Sequence, residues 1–263
     1  MPILRLSDPL DPRIEAYRDI RERDLAGRQG LFVAEGEVVL GHLIGPRSRF
    51  EVDSVLVADS RLEGLEMRLR SLQAPVFVAS QVVMDAIAGF PIHRGILAMG
   101  RRGEPASLSE LPAMPAPTDM VLAAVGIGNH DNMGGLFRAA AAFGARAVVL
   151  DSTCCDPLYR KAIRVSVGAS LIQPFVRLQP GEDMVTALAR AGYACWALTP
   201  SGGEMLSHAE SAGATALIVG SEGLGLPQAM LARCRGIAIP MADGFDSLNV
   251  ATAAAIALHH LAR

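Results

Sequence analysis

At 263 residues the chain is long enough for one large domain or two modest ones, each with its own core. Half of it is hydrophobic (51%) and few residues are aromatic (5%), a balance that suits helices packed on a mostly parallel sheet. A net charge of −3 excludes a globally basic nucleic-acid binder, and no apolar run reaches the roughly 18–20 residues of a membrane span. The opening Met1-Pro2-Ile3-Leu4-Arg5 lacks the layout of a signal peptide, so the cytoplasm is the expected compartment. Cys154, Cys155, Cys195 and Cys234 form no C-x-x-C pair and have no His at zinc-finger spacing, so neither a disulfide framework nor a metal site is expected.

In chain order, residues 11–26 carry Ile14, Tyr17 and Leu25 near one face, which predicts a helix capped by Asp11 with Pro12 in its first turn. A helix over 38–44, a strand over 52–58, a short strand at 76–79, a helix over 81–88 and a strand at 95–99 complete a small α/β domain. From 101 to 118 the chain is rich in Pro, Ser and Ala and loses apolar periodicity, as an interdomain linker does. Beyond it come a buried strand at 121–125, an alanine-rich helix over 133–143 ended by Gly144, and a strand at 147–150. A helix near 184–191, strands at 194–198, 216–219 and 236–239, and a final helix from about 249 follow. Strands alternating with helices predict a parallel sheet with ligands at the strand C-termini. The expected division is a first domain of residues 1–103, a linker at 104–118 and a second domain of residues 119–263.

Three loops of this second domain are chemically unusual. The first, Gly128-Asn129-His130-Asp131-Asn132-Met133-Gly134-Gly135-Leu136-Phe137-Arg138, leaves a strand and opens a helix, presenting amide donors to an anion. Asn132 is its natural N-cap. Arg138 stands in an otherwise apolar helix, either as a solvated surface residue or as a charge placed at a site. Gly126-Ile127-Gly128 opens like the dinucleotide fingerprint G-x-G-x-x-G, but Asp131 holds the sixth position and would repel a pyrophosphate. The second loop, Val219-Gly220-Ser221-Glu222-Gly223-Leu224-Gly225-Leu226-Pro227, joins three glycines to a carboxylate. The glycines permit close backbone approach, and Glu222 suits a cation, a sulfonium, an amine or an arginine rather than a phosphate. The third loop runs from Ile239 and Met241 to Ser247-Leu248-Asn249, where Ser247 or Asn249 is a candidate cap for the last helix. Local positive charge gathers at Arg18, Arg21, Arg23 and Arg28, at His93 and Arg94, and at Arg160, Lys161 and Arg164. Lys161 is the only lysine in the chain.

The ordered patterns N-x-G-x-x-x-R-x-A-x-x-F-G, V-G-S-E-G-x-G-L and I-P-M…S-L-N-V-A resemble the three motifs of the SpoU (TrmH-type) branch of the SPOUT RNA 2′-O-ribose methyltransferases. The stretch Arg164-Val165-Ser166-Val167-Gly168-Ala169 is similar to that family's R-x-S-x-G-A segment. The first domain resembles, more weakly, the family's ribosomal-protein-like substrate-binding domain, through Gly30 to Gly36 and through His93-Arg94-Gly95-Ile96. The resemblance implies a parallel-sheet domain with a trefoil knot, S-adenosylmethionine as cofactor, and a structured RNA as substrate, ribosomal rather than transfer RNA. It implies a cofactor site of Leu198, Thr199, Gly220, Ser221, Glu222, Ile239, Met241, Ser247 and Leu248. It also implies a catalytic set of Arg138, Asn132, Ser247, Asn249 and Glu222, in homodimers where Arg138 of one subunit approaches the cofactor of the other. Ala139 and Gly135 depart from the family pattern, which has Ser or Thr and Ala there; both are small, so packing is expected to survive. Two other functions compete: an RNA-binding protein of the same architecture that leaves the cofactor site unused, and a nucleotide-dependent Rossmann enzyme, which would need a glycine where the chain has Asp131.

Overall fold

Runs of Val, Leu, Ile and Ala without an intervening charge become the central strands of two sheets in the computed structural model, which describes residues 3–18, 30–103, 106–108, 115–243 and 247–262. The chain divides into two units, Met1–Glu104 with Leu158–Ile172, and Pro105–Pro157 with Gln173–Arg263. The division falls inside the Pro-rich stretch, but the second expected domain is not continuous. Leu158–Ile172 clusters with the first unit, where the Arg160 guanidinium pairs with Glu35 at 2.7 Å and Gly168 lies against the His42 ring.

The first unit holds a five-stranded sheet in the order β1 (Ile3–Leu6), β4 (Val76–Ala79), β3 (Glu51–Ala58), β5 (Ile96–Arg101), β2 (Leu31–Glu35). Its β1, β4 and β3 are parallel, while β5 runs antiparallel to both β3 and β2. Helices α1 (Glu37–Leu43), α2 (Asp59–Leu69) and α3 (Gln81–Ala88) belong to this unit, together with α5 (Arg160–Val165) and α6 (Ala169–Ile172). Helix α3 starts at Ser80, whose hydroxyl accepts from Val83 N, and stops at Gly89 in the left-handed region. The helix expected over 11–26 is a short 3-10 helix, Pro12–Tyr17, kinked at Ile14; residues 19–29 lie outside the described residues. Asp11 caps it as expected, and Arg13 beside it holds its carboxyl down at about 2. Ile14 and Tyr17 are fully buried, and the Tyr17 hydroxyl meets Ser54 at 2.9 Å, so packing rather than periodicity organises this segment.

The second unit is a seven-stranded parallel sheet in the order β10-β12-β9-β11-β6-β7-β8. Its strands are β6 (Met120–Ala124), β7 (Val148–Leu150), β8 (Phe175–Arg177), β9 (Ala194–Leu198), β10 (Glu204–Met205), β11 (Thr215–Val219) and β12 (Arg235–Ala238). Both β6 and β11 are buried along their whole length, as central parallel strands must be when helices cover both faces. The helices are α4 (His130–Ala142), α7 (Met184–Arg190), α8 (Gln228–Leu231) and α9 (Val250–Leu261). Val121, Ala123, Val149, Ala216 and Ile218 form one core face with Met184 and Leu188 of α7. The chain runs outward from β6 through β7 to β8, then crosses to β9 on the other side. Such a switch in direction leaves a crevice at the strand C-termini.

Candidate functional site

A cleft of about 980 Å³ opens at the C-terminal ends of β9, β11 and β12, within the size range of small-molecule sites. Its base follows from glycine geometry. Gly220 packs against the backbone of Gly225 with no room for a Cβ, and Gly223 and Gly225 have φ of 86° and 64°. The Gly225 amide donates to Ser221 O at 3.0 Å, so the loop after β11 doubles back and leaves Glu222 and Leu224 exposed. Leu198, Leu226, Ile239 and Met241 supply apolar wall, while Thr199, Ser221, Glu222, Ser247 and Asn249 supply polar groups.

One side chain ties the three loops together. Asn249 Oδ1 accepts from the amides of Ala251 (2.9 Å) and Thr252 (3.3 Å), capping α9. With the oxygen so engaged, Nδ2 must face the other way, where it donates to Asn132 Oδ1 at 2.8 Å and Glu222 Oε1 at 3.2 Å. This corrects the expected role of Asn132. The cap of α4 is Asn129, which has extended backbone and accepts from Asp131 N at 2.8 Å. Asn132 already lies inside the first turn, buried, and its amide is spent on Asn249 instead.

All nine residues expected at the cofactor, Leu198, Thr199, Gly220, Ser221, Glu222, Ile239, Met241, Ser247 and Leu248, line this cleft. Of the expected catalytic set, Glu222, Ser247 and Asn249 line it as well, and Asn132 stands one hydrogen bond behind. Arg138 does not line it; it is exposed on α4 and has no hydrogen-bond or ion-pair partner among the described residues. Ser201, Gln228 and Leu231 also line the cleft and were not anticipated. Helix α8, which carries the last two, spans only four residues, too few to show a period.

Gly135 sits at a close helix contact. A Cβ there would come 2.6 Å from Ala251 Cβ, so α4 and α9 approach at a glycine that even alanine would crowd. The rejected dinucleotide fingerprint is likewise a local scaffold: Gly126 N donates to Asp151 Oδ2 at 3.1 Å, and Arg177 donates to the carbonyls of Asp151, Cys154 and Cys155. Burial first, and then the Asp151 carboxylate, pushes the Cys154 thiol up to about 12, which keeps it a neutral packing group. All four cysteines are free. Among the described residues no cluster of His, Cys, Asp or Glu suits a metal ion, and no helix is long and apolar enough to cross a membrane.

A parallel sheet whose strand ends carry a part-apolar, part-polar cleft defines an α/β enzyme fold that binds a small molecule beside its glycine loop. The chain belongs to the SpoU rRNA methylase family, whose sequence model matches residues 119–259. It is thus an RNA methyltransferase by family. It is 39% identical to an uncharacterized tRNA/rRNA methyltransferase of Mycobacterium bovis, across 97% of this chain and 90% of that one. Its structure resembles that of an RNA 2′-O ribose methyltransferase, with a TM-score of 0.79 at 26% identity over 98% of each chain. It shares the fold of an AdoMet-bound rRNA methyltransferase from Sinorhizobium meliloti, with a TM-score of 0.82 at 20% identity over 98% of this chain and 97% of that one.

Proposed function

We propose that the protein transfers a methyl group from S-adenosylmethionine to a ribose 2′-hydroxyl of a structured RNA, ribosomal rather than transfer RNA. The observation that carries this reading is the junction of Asn132, Glu222 and Asn249 beside a cleft of the right size, in a chain of the SpoU family. The residues fit the cofactor. The apolar wall of Leu198, Leu226 and Ile239 suits an adenine, and Glu222 has no arginine or lysine partner among the described residues, which suits a cationic ligand. When bound, that cofactor supplies an electrophilic methyl on a positively charged sulfur.

The chain's own part is positioning and charge. A ribose hydroxyl must be held in line with the methyl and must lose its proton as it attacks. The role of Arg138 here is to grip the neighbouring phosphate with its guanidinium and stabilise the developing oxyanion. Ser247 and Asn249 align the nucleotide, and Asn132 holds Asn249. Because Arg138 does not line the cleft of its own chain, the reading includes a homodimer in which it completes the site of a second copy. The exposed Ile256 of α9 and Ala142 of α4 support that face as the contact. The reading further takes the last strands as a trefoil knot, the first unit as the RNA-binding domain, and the cytoplasm as the place of action.

Calorimetric titration of S-adenosylmethionine, followed by tritiated methyl transfer to ribosomal and transfer RNA, tests this directly. Binding with label on ribose 2′-oxygens of ribosomal RNA is expected. Label confined to transfer RNA overturns the choice of substrate, and absence of cofactor binding overturns the assignment.

A further inference from the structure

Cys195 in β9 and Cys234 in the turn between α8 and β12 belong to the N-terminal ends of their strands, away from the cleft. In these parallel neighbours Arg235 pairs with Trp196, Gly236 with Ala197 and Ile237 with Leu198, so one step back sets Cys234 opposite Cys195. Side chains of directly opposite residues leave a sheet on the same face. The adjoining pair touches on the other face, where the Arg235 guanidinium lies over the Trp196 ring, 4.5 Å from its centre. Cys195 and Cys234 both turn to the first face and pack on the core that holds Ala197, Val185 and Leu188.

Both thiols are free and only half-buried. Cys195 Sγ meets just two distant carbonyls, Val185 O at 3.9 Å and Tyr193 O at 4.0 Å, so no strong hydrogen bond fixes it. Burial first, and then the Cys234 thiol, pushes the Cys195 thiol up to about 11. Burial raises Cys234 as well, against the Arg233 guanidinium that faces both sulfurs and is itself paired with Asp183. Cys154, by contrast, is spent on the scaffold: its Sγ accepts from Ile127 N at 3.3 Å and donates to Ala124 O at 3.4 Å. Opposite Cα atoms of adjacent strands stand about 4.8 Å apart, inside the roughly 4.4–6.8 Å that a disulfide spans.

We propose that Cys195 and Cys234 form a thiol-modification site, a dithiol that a low-molecular-mass disulfide oxidises to an intrachain disulfide clamping β9 to the α8–β12 turn. One protein thiolate attacks a sulfur of the oxidant, breaks its S–S bond and expels a thiolate. The second protein thiolate then attacks the mixed disulfide at the protein sulfur, forms the new S–S bond and expels the other thiolate. The two protein thiols lose two protons and two electrons, and the oxidant becomes two thiols. The bond closes a loop of about 40 residues, which carries Leu198, Thr199 and Ser201 and the glycine loop from Gly220 to Leu226. Less freedom for that loop in the unfolded chain stabilises the fold. Because thiolate is scarce at neutral pH, the dithiol persists in reducing solution and oxidises slowly. The site does not rest on the methyl-transfer reading.

The test incubates the full chain with glutathione disulfide, alkylates the remaining thiols under denaturing conditions, and reads intact mass, peptide map and melting temperature. The wild type is expected to lose two hydrogens in mass, to yield one cross-linked peptide joining Cys195 to Cys234, and to leave Cys154 and Cys155 for the alkylating agent. Its melting temperature should rise by about 3–8 °C and return on treatment with dithiothreitol. The rate of cross-linking should increase about tenfold per pH unit between about pH 7 and 9, since both thiols titrate above that range. C195S and C234S should each abolish the cross-link and carry a single mixed disulfide on the remaining partner. Two glutathione adducts without a cross-link in the wild type overturn the proposal, as does a cross-link through Cys154 or Cys155. A Cys195–Cys234 bond that leaves the melting temperature unchanged or lower overturns the clamp. The wild-type peptide map decides the pairing even where a serine variant fails to fold.

Discussion

Before the strands of the parallel sheet begin, carboxylates sit against arginines: Asp183 with Arg233 at 2.7 Å and Asp119 with Arg146 at 3.4 Å. Beyond the C-terminal ends of the same strands Glu222 faces an amide, Asn249 Nδ2 at 3.2 Å, and on the body of α4 Arg138 faces no carboxylate among the described residues. The first two carboxylates are neutralised by arginines, whereas Glu222 and Arg138 have no opposite charge against them among the described residues. Asp183 shows the first pattern best, since it also caps α7 through Thr186 N. Asp183 serves the scaffold through both its cap and its arginine, while Glu222 is met only by a neutral amide.

That contrast can be broken by experiment. Arg138→Ala carries the largest expected effect, a fall of about 10²–10⁴ in methyl-transfer rate with cofactor affinity near wild type. Undiminished turnover would place Arg138 with the scaffold arginines. Next comes Glu222→Gln, which keeps an acceptor for Asn249 and removes the charge. Losing a charge-assisted contact of roughly 1.5–3 kcal/mol should weaken S-adenosylmethionine binding about 10–150-fold by calorimetry with an unchanged melting temperature. A fall in melting temperature without loss of affinity would reverse the assignment.

Gly135→Val should cost about 1–3 kcal/mol in denaturant unfolding, because the added methyls must displace Ala251 and with it the helix that Asn249 caps. A neutral result would mean that α4 and α9 separate freely. The smallest effect belongs to Asp183→Ala, about 1 kcal/mol, or a fall in melting temperature of roughly 2–4 °C, with cofactor affinity intact. Its pH dependence has a definite sign. The Arg233 hydrogen bonds first, and then those of Thr186, hold the Asp183 carboxyl well below its ordinary value of 3.8. Its contribution is therefore fully present above that value and is lost as pH falls through the depressed one. The gap between wild type and variant should stay constant from neutral pH to about 4 and narrow in more acidic solution, modestly, since the side chain is 45% exposed and screened.

Much of the second unit was legible in the residues. Strands β6, β9 and β11 and helices α4 and α9 appear within a residue or a few of their expected places, because continuous apolar runs and alanine-rich stretches depend on neighbours within a turn or a strand. Helix α2 was missed for the converse reason: only Leu65 and Leu69 of its residues are buried, too thin a stripe to stand out. Strands β1 and β2 were also unmarked, being short runs whose partners lie far along the chain. The segment Leu158–Ile172 reads in sequence as part of the catalytic domain, yet a contact between Arg160 and Glu35, 125 residues apart, puts it with the other unit.

From sequence alone came the parallel sheet, the resemblance to a methyltransferase family, and the residues that line the cleft, because each depends on local pattern or on motif order. Which asparagine caps and which one bridges, why Gly135 is a glycine, and which charges are left unpaired were decided by tertiary structure. Those answers depend on what a side chain meets across tens or hundreds of residues: Asn132 meets Asn249 117 positions away, and no local propensity carries that distance.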